Sequence, residues 1–135
     1  MEVWEDLNNM KNCPIEIALN YLGKKWTMQI IRDLFKGKKR FSHFLITNPQ
    51  ISTKMLSIRL KELQESDLIK KTIVTTTPIV IEYSLTKKGL ALNKILFELA
   101  KFSLRNYPGE VYHNKPKSIK SDIMNLKDFF NANQH

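Results

Sequence analysis

Between Cys13 and Gly89 the chain runs through a fixed order of short elements, each with its own punctuation. That order constrains the fold more than any other feature. Pro14 at a first helical position and Gly23 just past Leu22 frame one helix, with Ile15, Leu19 and Leu22 spaced for a single apolar face. A second helix is expected from about Trp26 to Phe35, lined by Trp26, Ile30, Ile31 and Leu34 and stopped at Gly37. A third, short one holds Phe41, Phe44 and Leu45 and ends before Pro49. Ser52 is a preferred N-cap residue for a fourth. Within it Leu56, Leu60 and Leu63 follow at i, i+4 and i+7 and must face a core. Asp67 is placed to adopt the left-handed conformation at the helix end, where glycine is commoner.

Ile69 to Thr77 is rich in β-branched residues, which favour strands, and Pro78 interrupts it. Ile79, Ile81, Tyr83 and Leu85 then alternate with Val80, Glu82 and Ser84, the period of a half-buried strand. The two strands make a hairpin. Thr86 is expected to cap one long helix through about Arg105, carrying Leu92, Ile95, Leu96, Leu99 and Phe102 on its apolar side, until Tyr107-Pro108-Gly109 ends it. From Glu110 to His135 the chain is polar, with Ile119, Ile123, Leu126, Phe129 and Phe130 spaced for one more amphipathic helix. Four short helices, a ribbon and a further helix in this order give an α+β fold, the ground plan of a winged helix-turn-helix.

A chain of 135 residues has room for one domain with a single core and a tail. Its formal net charge of +9 suits a polyanionic partner, and the excess is unevenly placed. Residues 11–89 hold 15 basic and 6 acidic side chains, whereas residues 1–10 hold three acids and no base. One cysteine excludes an intrachain disulfide and fits a reducing, cytoplasmic setting. The first ten residues lack the basic and apolar regions of a signal peptide, and no apolar stretch approaches the ~18 residues of a membrane span, so no membrane partner is expected. His43, His113 and His135 lie far apart without metal-ligand spacing, and four glycines build no phosphate-cradling loop. No catalytic residue, metal or cofactor is therefore expected, and the chain does not read as an enzyme.

A helix that reads the major groove buries one face on its own domain and offers short polar or cationic side chains on the other. Ser52, Thr53, Lys54, Ser57, Ile58 and Lys61 occupy that outer face. Lysine can donate to guanine, serine and threonine to several base edges, and Ile58 can touch a thymine methyl. Lys38, Lys39 and Arg40, with Lys24 and Lys25, sit at helix ends as phosphate contacts. The hairpin tip from Thr75 to Ile79 carries no charge, and there Thr76 and Thr77 offer hydroxyls that bond phosphate without releasing a counterion. The same face could instead dock a protein, since a winged helix can serve as a protein–protein docking module. The two lysines and the small hydroxyl residues favour DNA.

The residues that punctuate these elements carry a resemblance. Cys13-Pro14, Gly23-x-Lys25-Trp26, Arg40-Phe41, Ile51-Ser52-x-Lys54-Met55-Leu56, Leu60-x-x-Leu63, Leu68 and Glu82-Tyr83-Ser84-Leu85-Thr86-x-x-Gly89 resemble the HxlR-type winged-helix transcriptional regulators, relatives of the MarR-like group. The resemblance, over about residues 13–105, implies a winged helix-turn-helix with added N- and C-terminal dimerisation helices over residues 1–109; the tail over 110–135, with its one short helix, lies outside it. It also implies a homodimer, paired through the first helix and the long C-terminal helix, on double-stranded DNA with a palindromic operator, and points to a repressor. The chain departs from the family pattern at three places: Pro78-Ile79-Val80 replaces a two-proline basic wing, Asp67 a glycine, and His43 an acid. Some members sense oxidants or electrophiles through the cysteine before this proline, so Cys13 is a redox-sensing candidate; a helix N-terminus favours thiolate, and the plain alternative is a small buried hydrophobe. A further alternative signal is a small ligand held at the dimer interface between the first and long helices by Trp4, Tyr21, Trp26, Phe97, Phe102 and Tyr107.

Overall fold

The computed structural model describes residues 9–132. Helix α1 spans Pro14–Leu22 and closes on Gly23, whose N–H donates to the Leu19 carbonyl at 2.7 Å. Helix α2 spans Thr27–Phe35, one residue later than expected, because Trp26 stands at its N-cap in a left-handed conformation, φ 80°. Helices α3 (Phe41–Thr47) and α4 (Thr53–Glu65) complete the helix-turn-helix. Strands β1 (Ile69–Thr76) and β2 (Ile79–Leu85) form an antiparallel ribbon in register from Ile69↔Leu85 to Thr76↔Ile79, irregular between Ile73 and Thr75. The core lies between α2, α3, α4 and the base of the ribbon, where Ile30, Ile31, Phe44 and Leu56 are fully buried with Leu60, Leu63 and Ile69 almost so. Tyr83 meets Phe44 edge-on at 6.2 Å, and burial pushes its phenol above the ordinary range.

The single helix expected from Thr86 to Arg105 is two. Helix α5 spans Lys87–Leu90 and helix α6 spans Asn93–Asn106. Thr86 does cap: its hydroxyl accepts from the Gly89 N–H at 3.0 Å and donates to the Asp67 carbonyl at 2.6 Å. Those bonds dock the first turn on the end of α4. The chain then tightens, with Leu92 N–H donating to Gly89 three residues back, before α6 begins. Leu92, Leu96 and Leu104 are buried, whereas Ile95, Leu99 and Phe102 lie on a second, exposed apolar side.

After the short helix α7 (Pro108–Val111), helix α8 (Ile119–Ala132) returns along α6. Its Phe130 is buried, meets Phe35 edge-on at 5.7 Å and joins the main core, while the Asn93 amide donates to the Phe130 carbonyl at 3.3 Å. Tyr112 fixes the approach to α8 by donating to Asp122, a bond that pushes its phenol above the ordinary range.

Candidate nucleic-acid interface

The Ser52 hydroxyl accepts from the Met55 N–H at 3.0 Å, so α4 starts where the capping pattern places it. Leu56, Leu60 and Leu63 are all buried, and Ser52, Thr53, Lys54, Ser57, Ile58 and Lys61 are all exposed. The structure therefore brings these six residues together on one outward face whose first turn is free of acids. Asp67 at φ 60° ends the segment, and the Leu68 N–H bonds back to Leu63.

What orients α4 is a set of residues that periodicity does not reveal. Arg59 Nε donates to the Lys25 carbonyl at 2.8 Å, and its Nη1 lies 3.2 Å from Glu62. Lys24 pairs with the same carboxylate at 3.4 Å, and the Lys25 ammonium sits 5.2 Å over the Trp26 ring. Both lysines, expected as phosphate contacts, thus have partners inside the domain; they tie the start of α2 to α4.

Between α2 and α3 lies a buried carboxylate. Asp33 is fully buried, and its Oδ1 accepts from Arg32 Nε (3.0 Å) and Nη2 (2.9 Å). Its Oδ2 accepts from the Thr47 hydroxyl at 2.6 Å and the Asn48 amide at 2.7 Å. Arg32 Nη2 also donates to the Asn48 side-chain Oδ1 at 3.0 Å, and the Asn48 side-chain amide donates to the Phe44 carbonyl at 2.9 Å. This closed network fixes α3 against α2 and so sets where α4 emerges. The available signal in the sequence is an acid among Ile30, Ile31, Leu34 and Phe35 on an otherwise apolar helix.

Lys39 and Arg40 are exposed and Lys38 half-buried at the turn between α2 and α3. The Tyr83 N–H donates to the Lys39 carbonyl at 2.8 Å, which lays this basic turn along the free edge of β2. Arg40 is loosely paired with Glu82 at 3.9 Å. His43 caps α3: its Nδ1 accepts from the Lys39 and Arg40 N–H groups, each at 3.3 Å. At the wing tip Thr76 and Thr77 are exposed, while Thr75 is occupied, its hydroxyl donating to the Pro78 carbonyl at 2.6 Å. Ile73, Val74 and Ile79 project there without a cation beside them in sequence.

Cys13 is the N-cap residue of α1, half-buried, with no capping bond from its side chain. Within one subunit the aromatic residues offered for an alternative ligand site at the dimer interface do not share a pocket among the described residues. Tyr21 is exposed, Trp26 and Phe97 lean on the core, Phe102 and Tyr107 pair with each other at 5.8 Å, and Trp4 lies outside the described residues. What stands between α1 and α6 is an aliphatic groove of about 350 Å³, lined by Ile15, Leu19, Leu22, Met28, Ile95 and Leu99 among others. Helical spacing fixed the faces but not which residues meet across them. Among the described residues no helix is long and apolar enough to cross a membrane, and no three His, Cys, Asp or Glu side chains cluster as metal ligands.

The model of the HxlR-like helix-turn-helix family matches residues 21–111, which hold the whole helix-turn-helix and its wing. The chain belongs to that family. This HxlR-like protein is 41% identical over 98 residues to the HTH-type transcriptional regulator YvaP of Bacillus subtilis, a match covering 72% of this chain and 91% of YvaP. It is 42% identical over 88 residues to the transcriptional regulator YodB of the same organism, covering 64% of this chain and 79% of YodB. The reduced form of YodB superposes with a TM-score of 0.63 at 38% identity, over 71% of this chain and 95% of YodB. The redox regulator HypR in its reduced form gives 0.68 at 31% identity, over 74% and 100%. The protein is accordingly a DNA-binding transcriptional regulator of helix-turn-helix type with a winged fold. Helix α8 lies beyond the family match.

Proposed function

We propose that this HxlR-like regulator is a homodimeric repressor that binds a palindromic operator, with α4 in the major groove. The observation that carries the reading is the division of α4 itself: three leucines buried, six base-reading or cationic residues exposed on the other side. Lys38, Lys39, Arg40, Thr76 and Thr77 supply backbone contacts beside it. A dimer is supported by α1, which buries none of its residues and exposes Ile15, Ile17, Leu19 and Tyr21, and by the exposed Ile95, Leu99 and Phe102 of α6. Two such subunits would place their α4 helices about one DNA turn apart, roughly 34–36 Å.

A gel shift on the protein's own upstream region, run at two salt concentrations, tests this. With roughly 6–10 phosphate contacts, affinity falls by about 10³–10⁵ between 50 and 200 mM salt. Lys54→Glu should abolish the shift while leaving the melting temperature within a few degrees of wild type, since Lys54 is exposed and unpaired among the described residues. A salt-independent interaction would instead mark a protein-docking surface.

The signal we assign is an oxidant or electrophile acting at Cys13. YodB has been solved reduced, diamide-treated and quinone-bound, and HypR reduced and oxidised. In this chain the sole cysteine stands at the N-cap of helix α1, which buries none of its residues, and a modified thiol there would change how two subunits meet. Diamide or a quinone should lower operator affinity of the wild type and leave Cys13→Ser unaffected; an equal response from both proteins removes Cys13 from the mechanism.

A further inference from the structure

Helix α8 does more than cover the core. Between α2, α6 and α8 it leaves a groove of about 750 Å³, within the roughly 300–1,000 Å³ typical of small-molecule sites. Its walls are apolar: Met28 from α2, Leu96, Leu99 and Ala100 from α6, and Leu126 and Phe130 from α8. Its charged lining is of one sign, Arg32 and Lys36, and no aspartate or glutamate lines it. Arg32 holds Asp33 and Asn48 through Nε and Nη2, which leaves Nη1 out of these bonds on a side chain 40% exposed. Lys36 is exposed and forms no ion pair with a described residue. An apolar trough lined by an ammonium without an ion pair, Lys36, and by a guanidinium that keeps Nη1 outside its bonds to Asp33 fits a molecule built the opposite way.

We propose that this groove binds a small apolar monocarboxylate, its hydrocarbon or aryl body along α6 and α8 and its carboxylate between Arg32 Nη1 and Lys36 Nζ. A charge-assisted bond from guanidinium to carboxylate supplies the orientation, and the apolar walls supply the bulk of the contact area. One wall is α8, which lies outside the family match. The ligand would sit one residue from the carboxylate that ties α2 to α3; any effect on operator binding rests on the DNA-binding reading above, but the binding itself does not.

The test uses the full-length protein without DNA. The apolar anion 1-anilinonaphthalene-8-sulfonate is bound and followed by fluorescence, then displaced by decanoate or by uncharged decanol. Decanoate should compete at least ten-fold better than decanol. Lys36→Glu, on the surface, should weaken decanoate at least ten-fold and leave decanol unchanged, and Ala100→Trp should fill the groove and remove the fluorescence. Equal competition by acid and alcohol in both proteins would overturn the proposal. So would dye retained by a folded Ala100→Trp variant, or dye released as rising protein concentration drives dimer formation, which would show a second copy filling the groove.

Discussion

Replacing Asp33 with alanine should destabilise the protein by about 3 kcal/mol, a fall of roughly 10 °C in melting temperature for a domain of this size. The carboxylate is fully buried and accepts from four donors: two on Arg32, one on Thr47 and one on Asn48. Alanine removes the 2.6 Å acceptor of the Thr47 hydroxyl, which keeps the His43 and Phe44 carbonyls, and one of the three acceptors of the buried Asn48 amide; each hydrogen bond to a charged group lost in this way is worth about 1.5–3 kcal/mol. Arg32 contributes less to the penalty because its side chain is 40% exposed and can turn to water. Two comparisons separate the causes. Asp33→Asn keeps the volume and an acceptor oxygen for Thr47 and Asn48 but sets an amide against the guanidinium, so its loss should be about half that of alanine. Arg32→Ala should cost about 3 kcal/mol, because it leaves the fully buried Asp33 carboxylate without its cation. Denaturant melts of the three variants check the ranking; an alanine variant as stable as wild type would show that the network does not hold α3. Because α3 sets the exit of α4, Asp33→Ala should also weaken DNA binding under conditions where it is still folded.

These residues mark the limit of what spacing reveals. The reading face of α4 is readable because both of its causes are local: a serine that caps its own helix and leucines at helical intervals. Asp67 at φ 60° is readable for the same reason, since a short polar residue followed by Leu68-Ile69 leaves few other ways out of the helix. Asp33 is not, because a buried acid and a solvated one look alike until the chain supplies Thr47 and Asn48 from 14 and 15 residues away. Lys24 and Lys25 look like free cations until α4 brings Glu62 and the Trp26 ring is turned by its positive φ. Phe130 looks like part of a weak tail helix until Phe35 and Asn93 receive it. The hidden features are the long-range ones, and they position the site rather than compose it.

The long-range contact with the tightest tolerance is at Gly89. A Cβ built there would lie 2.1 Å from the Leu68 carbonyl oxygen, 3.2 Å from its carbon and 3.0 Å from the Leu85 side chain. Leucine can change rotamer, but the carbonyl is backbone and is already engaged, accepting from the Thr86 N–H at 3.1 Å. The surrounding turn is clamped as well, by Thr86 on the Asp67 carbonyl and by Lys88 on the Ser66 carbonyl at 2.8 Å. An alanine must therefore push α5 off the end of α4, breaking those bonds and opening the packing of Leu68, Leu85 and Leu92. Overpacking ordinarily costs about 1–3 kcal/mol, and a clash against fixed backbone belongs at or above the upper end. Gly89→Ala should lower the melting temperature by about 10 °C or more, at roughly 4 °C per kcal/mol. Gly109→Ala is the matched control, with no atom within 4 Å of the added carbon, and should change stability by less than about 0.5 kcal/mol. If the two alanines melt alike, the close approach of α5 to the strand entering the wing is wrong, and so is the docking that carries α6 away from the reading head.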